Sequence, residues 1–190
     1  MDKIVIAFVG PIAVGKGTAI KLLEKKGFVS SSTSDRIREE IKKRGEEVDR
    51  YSLTKVSNEL RETYGDSVLA KRTADVIENI KNKYIVIDSI RNPEEINYLR
   101  EKYGIKIIAL LANQKRRYEQ FSNRTLNSQP MTFEAFKDLD DKELYGTLGE
   151  HTQRVSECIK MADATIENVG SIEELEEKLT EVLKNLGINP

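Results

Sequence analysis

The segment Gly10-Pro11-Ile12-Ala13-Val14-Gly15-Lys16-Gly17-Thr18, directly after the apolar run Ile4 to Val9, constrains this chain more than any other. A short buried strand that ends in glycines and opens a helix lets backbone N–H groups curl inward. The helix aims its positive end at the same point. Such a nest holds the polyphosphate of a nucleotide, with Gly10, Ala13, Val14, Gly15 and Gly17 forming the cradle. Lys16 reaches the outer phosphates, and Thr18 offers a hydroxyl to the inner phosphates or a metal. The step from Gly10 to Gly15-Lys16 is the Walker A spacing, with Gly17 where that pattern has Ser or Thr. The ligands this implies are ATP and Mg²⁺.

A chain of 190 residues makes one α/β domain, which at this size buries roughly 70% of the surface its unfolded form exposes. Lys and Arg number 31 against 32 acidic residues, so the chain as a whole has no pull toward nucleic acid or an anionic membrane. It has no tryptophan, and no basic stripe interleaved with aromatics. The single cysteine, Cys158, cannot close an intramolecular disulfide, which suits a reducing compartment. It lies in the apolar stretch Val155 to Met161 and reads as a packing residue. No apolar stretch approaches the ~20 residues of a membrane span, and Ile4 to Val9 is too short for a signal peptide. The expectation is a cytoplasmic protein with a small-molecule partner, not a nucleic-acid or membrane binder. Oligomeric state is not legible at this level.

Apolar runs at Ile4–Val9, Phe28–Ser30, Tyr84–Asp88, Lys106–Ala112 and Ala164–Glu167 alternate with segments of helical period. That rhythm predicts a five-stranded parallel sheet covered by helices on both faces. Asn92-Pro93-Glu94-Glu95 and Ser171-Ile172-Glu173-Glu174 read as helix starts. Residues 33–81 read as three helical segments without a strand, while 121–149 are polar and broken by Pro130, Gly146 and Gly149. Both look like insertions over the carboxyl edge of the sheet, where ligands bind in open α/β folds. The predicted organisation is one domain over 1–190, with core 1–32, 82–120 and 150–190, an acceptor-binding insertion at 33–81 and a lid at 121–149.

Thr33-Ser34-Asp35 reads as an N-cap for a helix over Arg36–Lys43, with Arg38 one turn in. Because it follows the second strand, its helix end and Arg38 can meet a second anion beside the first. Tyr84-Ile85-Val86-Ile87-Asp88 is a strand ending in a carboxylate, the Walker B form. Asp88 there holds Mg²⁺ through water, accepts a proton, or merely caps the next helix. Arg91 lies near the same edge and can pair with an acceptor phosphate. Arg117 and Arg124, seven apart, share a helix face suited to the spread charge of a moving phosphoryl group, or to solvent. The lone histidine, His151, reads as a surface residue.

On these motifs the chain resembles the P-loop nucleoside monophosphate kinases. Gly10–Thr18 looks like the adenylate-kinase loop, and Thr33-Ser34-Asp35 with Arg38 is similar to that family's acceptor motif. Ser34 stands in place of the usual glycine. Asp88, Arg91 and Glu95 look more like the deoxynucleoside monophosphate kinases and archaeal dephospho-CoA-kinase-like proteins, as does Asp163 to Ser171. The resemblance implies a P-loop three-layer α/β/α fold, with Thr33, Asp35 and Arg38 at the acceptor and Asn168 beside the donor base. Those relatives carry an arginine-rich lid; here Gln120, Leu139, Asp138, Asp140, Asp141 and Glu143 stand in that region, and Arg117 and Arg124 are the positions that match.

The expected activity is transfer of the ATP γ-phosphoryl group to a nucleoside or deoxynucleoside monophosphate. The expected catalytic residues are Lys16, Asp88, Arg91, Arg117 and Arg124, with Thr18 and Asp88 toward the metal. The alternatives are a dephospho-CoA-kinase-like enzyme that phosphorylates a ribose hydroxyl, and a nucleotide-switched ATPase that serves assembly.

Overall fold

The computed structural model describes residues 3–124, 131–146 and 151–190; only the backbone of Arg124 is described. In chain order the elements are β1 (Ile4–Val9), α1 (Lys16–Lys25), β2 (Val29–Ser32), α2 (Thr33–Lys43), α3 (Arg50–Tyr64), α4 (Val68–Glu78) and β3 (Tyr84–Asp88). They continue with α5 (Pro93–Tyr103), β4 (Lys106–Leu111), α6 (Gln114–Arg124), α7 (Phe133–Tyr145), α8 (Val155–Lys160), β5 (Ala164–Glu167) and α9 (Ile172–Asn185).

The strands form one parallel sheet in the order β2-β3-β1-β4-β5. β1 lies in the middle, with Ala7 opposite Ile87 of β3 and Val9 opposite Ala109 of β4. The carboxyl ends of β1, β3 and β4 therefore lie side by side, which puts the glycine loop next to Asp88. Near-continuous apolar strands are what a sheet covered on both faces requires. Ile6, Phe8, Val86, Ile108 and Leu110 pack on Leu22 and Leu23 of α1 and on Leu175, Leu179 and Leu183 of α9. Val5, Ala7, Ile85, Ile87 and Ile107 face the opposite way, against Ile77 of α4, Ile96 and Leu99 of α5 and Cys158 of α8.

Helices α2, α3 and α4 carry a separate small core of Ile37, Ile41, Val56, Leu60, Val68 and Leu69. They are tied to the sheet layer by a buried ion pair, Arg61 Nη2 to Glu95 Oε1 at 3.1 Å. The other Glu95 oxygen accepts the backbone N–H groups of Arg91 and Asn92 at 2.9 and 3.2 Å, closing the capping box that starts α5. One carboxylate thus anchors α3 and shapes the turn that carries Arg91.

The helix start at Thr33 differs from the expectation. Ser32, still extended at φ −131°, is the cap, and its hydroxyl accepts the Ser34 N–H at 3.2 Å. Thr33, Ser34 and Asp35 form the first turn of α2, because the Thr33 hydroxyl is drawn across to the Ser89 carbonyl at 2.7 Å. Of the residues read as a lid, 125–130 and 147–149 lie outside the described residues. Among the described residues no helix is long and apolar enough to cross a membrane.

Removing the Arg61 guanidinium leaves Glu95 charged and unpaired in the interior. Arg61→Ala should cost about 3–5 kcal/mol of unfolding free energy, measured by urea denaturation.

Candidate active site

The glycine loop is held in a backbone conformation that side chains resist. Gly10 sits at φ +147°, and a Cβ there would lie 2.3 Å from the Leu110 carbonyl oxygen. Gly15, at φ +101°, caps α1, and its Cβ would lie 2.3 Å from Asn168 Nδ2. Ala13 adopts φ +57° without being glycine, a cost that surrounding structure has to support. Part of that support is Asn168, beyond the end of β5, whose Nδ2 donates to the Val14 carbonyl at 2.9 Å. The loop is braced from the next strand but one, across the sheet edge.

Lys16 donates to the Gly10 and Pro11 carbonyls at 2.7 and 2.9 Å. Withdrawal of its ammonium from water lowers its pKa from 10.5 to about 8, against the attraction of Asp88 and Glu143 and with the repulsion of Arg91 and Arg117. These five charged groups converge at the ends of β1 and β3. Asp88 Oδ1 is buried there with no hydrogen-bond partner among the described residues. The next residue, Ser89, is at φ +68°. Its carbonyl accepts Thr33 Oγ1 and, at 3.3 Å, Arg91 Nη1, folding Arg91 back over the edge.

A cavity of about 420 Å³ opens beside this cluster under α2 and α3, with Thr33, Arg38, Arg50, Ser89, Arg91 and Glu143 among its walls. Arg38 is oriented by Ser34 Oγ at 2.7 Å and Asp35 at 3.5 Å. Asp35 itself is about half exposed and does not line the cavity. On the other side of the loop, a cavity of about 310 Å³ is lined by Gly15, Thr18, Arg116, Gln120, Asn168 and Ile172. Thr18 belongs to this second side, while Ser89 and Arg91, which follow Asp88, line the first.

Arg117 is not free. It is buried, its guanidinium grips Asp140 of α7 through both terminal nitrogens, and Nη1 also donates to the Ile12 carbonyl at 3.1 Å. Glu143, one turn along α7, pairs with Arg50 at 2.6 Å and approaches Arg91 at 3.9 Å. The Arg124 side chain lies outside the described residues. His151 is part-buried, its Nδ1 2.9 Å from Asp66. Cys158 is fully buried, which pushes its thiol pKa far up. Sequence reasoning missed Arg50, Ser89, Asp140 and Glu143. A signal existed for the last two, since Phe136, Asp140 and Glu143 fall four and seven apart on one helix face.

A family model described as an AAA domain matches residues 9–103. A UPF0200 protein of Thermococcus onnurineus is 32% identical over 187 residues, 96% of this chain and 97% of that one. The chain carries an AAA-type domain and belongs to the UPF0200 family. A UPF0200 protein of Sulfurisphaera tokodaii is also 32% identical, over 96% of this chain and 97% of its own. The chain spans only 56% of the UPF0200/UPF0201 protein of Archaeoglobus fulgidus, at 32% identity. Among solved structures, the shikimate kinase of Bacteroides thetaiotaomicron aligns with TM-score 0.60 and 11% identity over 97% of this chain and 99% of that one. A gluconokinase of Sinorhizobium meliloti aligns at 0.53 and 12%, over 97% and 95%. At such identities these neighbours show the fold, and the UPF0200 chain has the P-loop kinase-like α/β fold.

Two outcomes check the loop. Gly15→Ala should lower Tm by several degrees, because the new methyl displaces Asn168, whereas Gly17→Ala meets open space and should hold or slightly raise it. For Lys16 the folded pKa is lowered, so between pH 8 and 10.5 the unfolded chain keeps a proton the folded one has released. Stability should therefore rise with pH across that window. Urea titrations at pH 7.5 and 10 should show this rise in wild type and not in Lys16→Met.

Proposed function

We propose that this UPF0200 chain is an ATP-dependent phosphotransferase acting on a nucleoside or deoxynucleoside monophosphate in the cytoplasm. One observation carries the reading: the glycine-loop lysine, an unpartnered carboxylate oxygen on Asp88 and two arginines on a cavity of about 420 Å³ stand at one sheet edge. In this scheme residues 33–81 bind the acceptor and 121–149 close over it.

The residues fit the ligands. Packing of Gly10 on Leu110 and of Gly15 on Asn168, both at positive φ, keeps the loop backbone curled as a phosphate nest requires, and the unmet Asp88 oxygen suits a water bound to Mg²⁺. When bound, MgATP supplies the γ-phosphoryl group. Lys16 exchanges the Gly10 and Pro11 carbonyls for phosphate oxygens, which match its charge where negative charge spreads in transfer. Asn168 and Thr18 border the donor side. Arg38 and Arg91 hold the acceptor phosphate, whose oxygen attacks phosphorus as the bond to the ADP leaving group breaks. Thr33 keeps the Ser89 turn in place. Asp35 steadies Arg38 rather than the acceptor. Arg117 and Arg124 stabilise the moving group once Arg117 parts from Asp140, so closure and exchange of partners are coupled.

A hydroxyl acceptor, as in a dephospho-CoA-kinase-like reaction, is favoured by the same unmet Asp88 oxygen, which is placed to take a hydroxyl proton. A slow nucleotide-switched ATPase is favoured by the Arg117–Asp140 grip, which withholds an arginine from catalysis.

The test is acceptor-dependent ADP release from ATP with nucleoside and deoxynucleoside monophosphates, dephospho-CoA and compact hydroxy acids. A monophosphate should stimulate release, and Lys16→Ala should cut kcat at least 100-fold. Arg91→Ala should raise acceptor KM at least tenfold while Asp88→Asn retains transfer to a phosphate. Loss with Asp88→Asn and a dephospho-CoA response would select the hydroxyl acceptor, and acceptor-independent release the switch.

A further inference from the structure

A third cavity, of about 370 Å³, lies between α3 and α7. Arg50, Thr54, Glu143 and Gln153 line both it and the 420 Å³ cavity that holds Arg38 and Arg91, so the two adjoin across these side chains. Their chemistry is graded along this path. The first end presents guanidinium groups. At the junction stands the Glu143 carboxylate, which accepts from Arg50 at 2.6 Å and has further acceptor capacity for hydroxyl groups. The far end is walled by Leu139 and the stem of Lys142, with largely exposed Tyr51 at the side.

Two amides have unmet oxygens, Asn58 on the far cavity and Gln153 at the junction. Asn58 Oδ1 and Gln153 Oε1 are shut off from water and have no hydrogen-bond partner among the described residues. Buried polar atoms are rarely left so. Terminal amide torsions are soft, so either oxygen can swing to meet an N–H offered from the cavity.

We infer that the α3–α7 cavity seats the distal body of the acceptor, a flat apolar ring system bearing N–H donors, joined through a hydroxylated link past Glu143 to an anionic head on Arg38 and Arg91. The inference rests on the proposed phosphotransferase reading and adds to it the seat of the acceptor's base and the residues that select it. A compact hydroxy acid bound on Arg38 and Arg91 leaves the apolar cavity without a role. Leu139, Asn58 and Gln153 then set specificity without touching the reacting atoms.

The experiment compares kcat/KM for AMP, GMP, CMP, UMP, their deoxy forms and ribose 5-phosphate in wild type, Leu139→Asp, Leu139→Ala and Asn58→Leu, with ATP affinity by calorimetry beside each. In wild type the preferred monophosphate should exceed ribose 5-phosphate at least 100-fold. Leu139→Asp should raise its KM at least tenfold with kcat little changed, ribose 5-phosphate turnover unaltered and ATP affinity intact. Leu139→Ala should raise the same KM severalfold, which covers the case in which the charged variant does not fold. Asn58→Leu should change the ranking among bases. If monophosphates are phosphorylated with KM indifferent to both Leu139 variants, or no better than ribose 5-phosphate, the inference falls and the kinase reading stands. If no monophosphate is accepted and a hydroxy acid is, the kinase reading's acceptor falls and this inference with it.

Discussion

A single ammonium group drawn out of water at the carboxyl edge of the sheet governs the arrangement around it. Lys16 is held between the Gly10 and Pro11 carbonyls and close to Asp88 and Glu143, yet its pKa is low because burial strips it of water, with the repulsion of two guanidinium groups added. Charge so confined is poorly solvated and incompletely matched. In the proposed reading an incoming polyphosphate supplies the missing negative charge without disturbing the sheet beneath. The sheet order provides the rigidity for this. With β1 between β3 and β4, the loop, the Asp88 turn and the end of β4 are neighbours through backbone pairing alone.

Helix α7 answers the arginines from above. Asp140 engages Arg117, and Glu143 engages Arg50 and nears Arg91, so this acidic face satisfies cations that would otherwise be buried without partners. Such pairs contribute little net stability once desolvation is counted, but breaking one side is costly. An anion that enters the cavity offers the arginines another partner. The acidic run that distinguishes this chain from arginine-rich lids is thus placed to exchange with phosphate rather than to bind it.

Much of the fold was legible in local pattern. Three strands were readable to the residue at both ends, since Ile4–Val9, Tyr84–Asp88 and Ala164–Glu167 are bounded by breaks in apolar character. The start of α2 was not, because the pull of the Ser89 carbonyl on Thr33 comes from 56 residues away. Asp35 looked like a ligand by its company with Thr33 and Arg38, but helical geometry turns it outward to Arg38. Arg61 showed no signal at all. A mid-helix arginine is ordinarily solvated, and only the fold of α3 onto α5 brings Glu95 to it.

By itself the chain's order of residues determined the parallel sheet, the glycine loop and the carboxylate and arginine that follow β3, because strand periodicity, positive-φ glycine and helix capping act over a few residues. Tertiary structure alone decided which charges are paired, which oxygens are left unmet and that two cavities adjoin at α7. Those properties depend on groups brought together from distant segments, where desolvation makes each missing or present partner count.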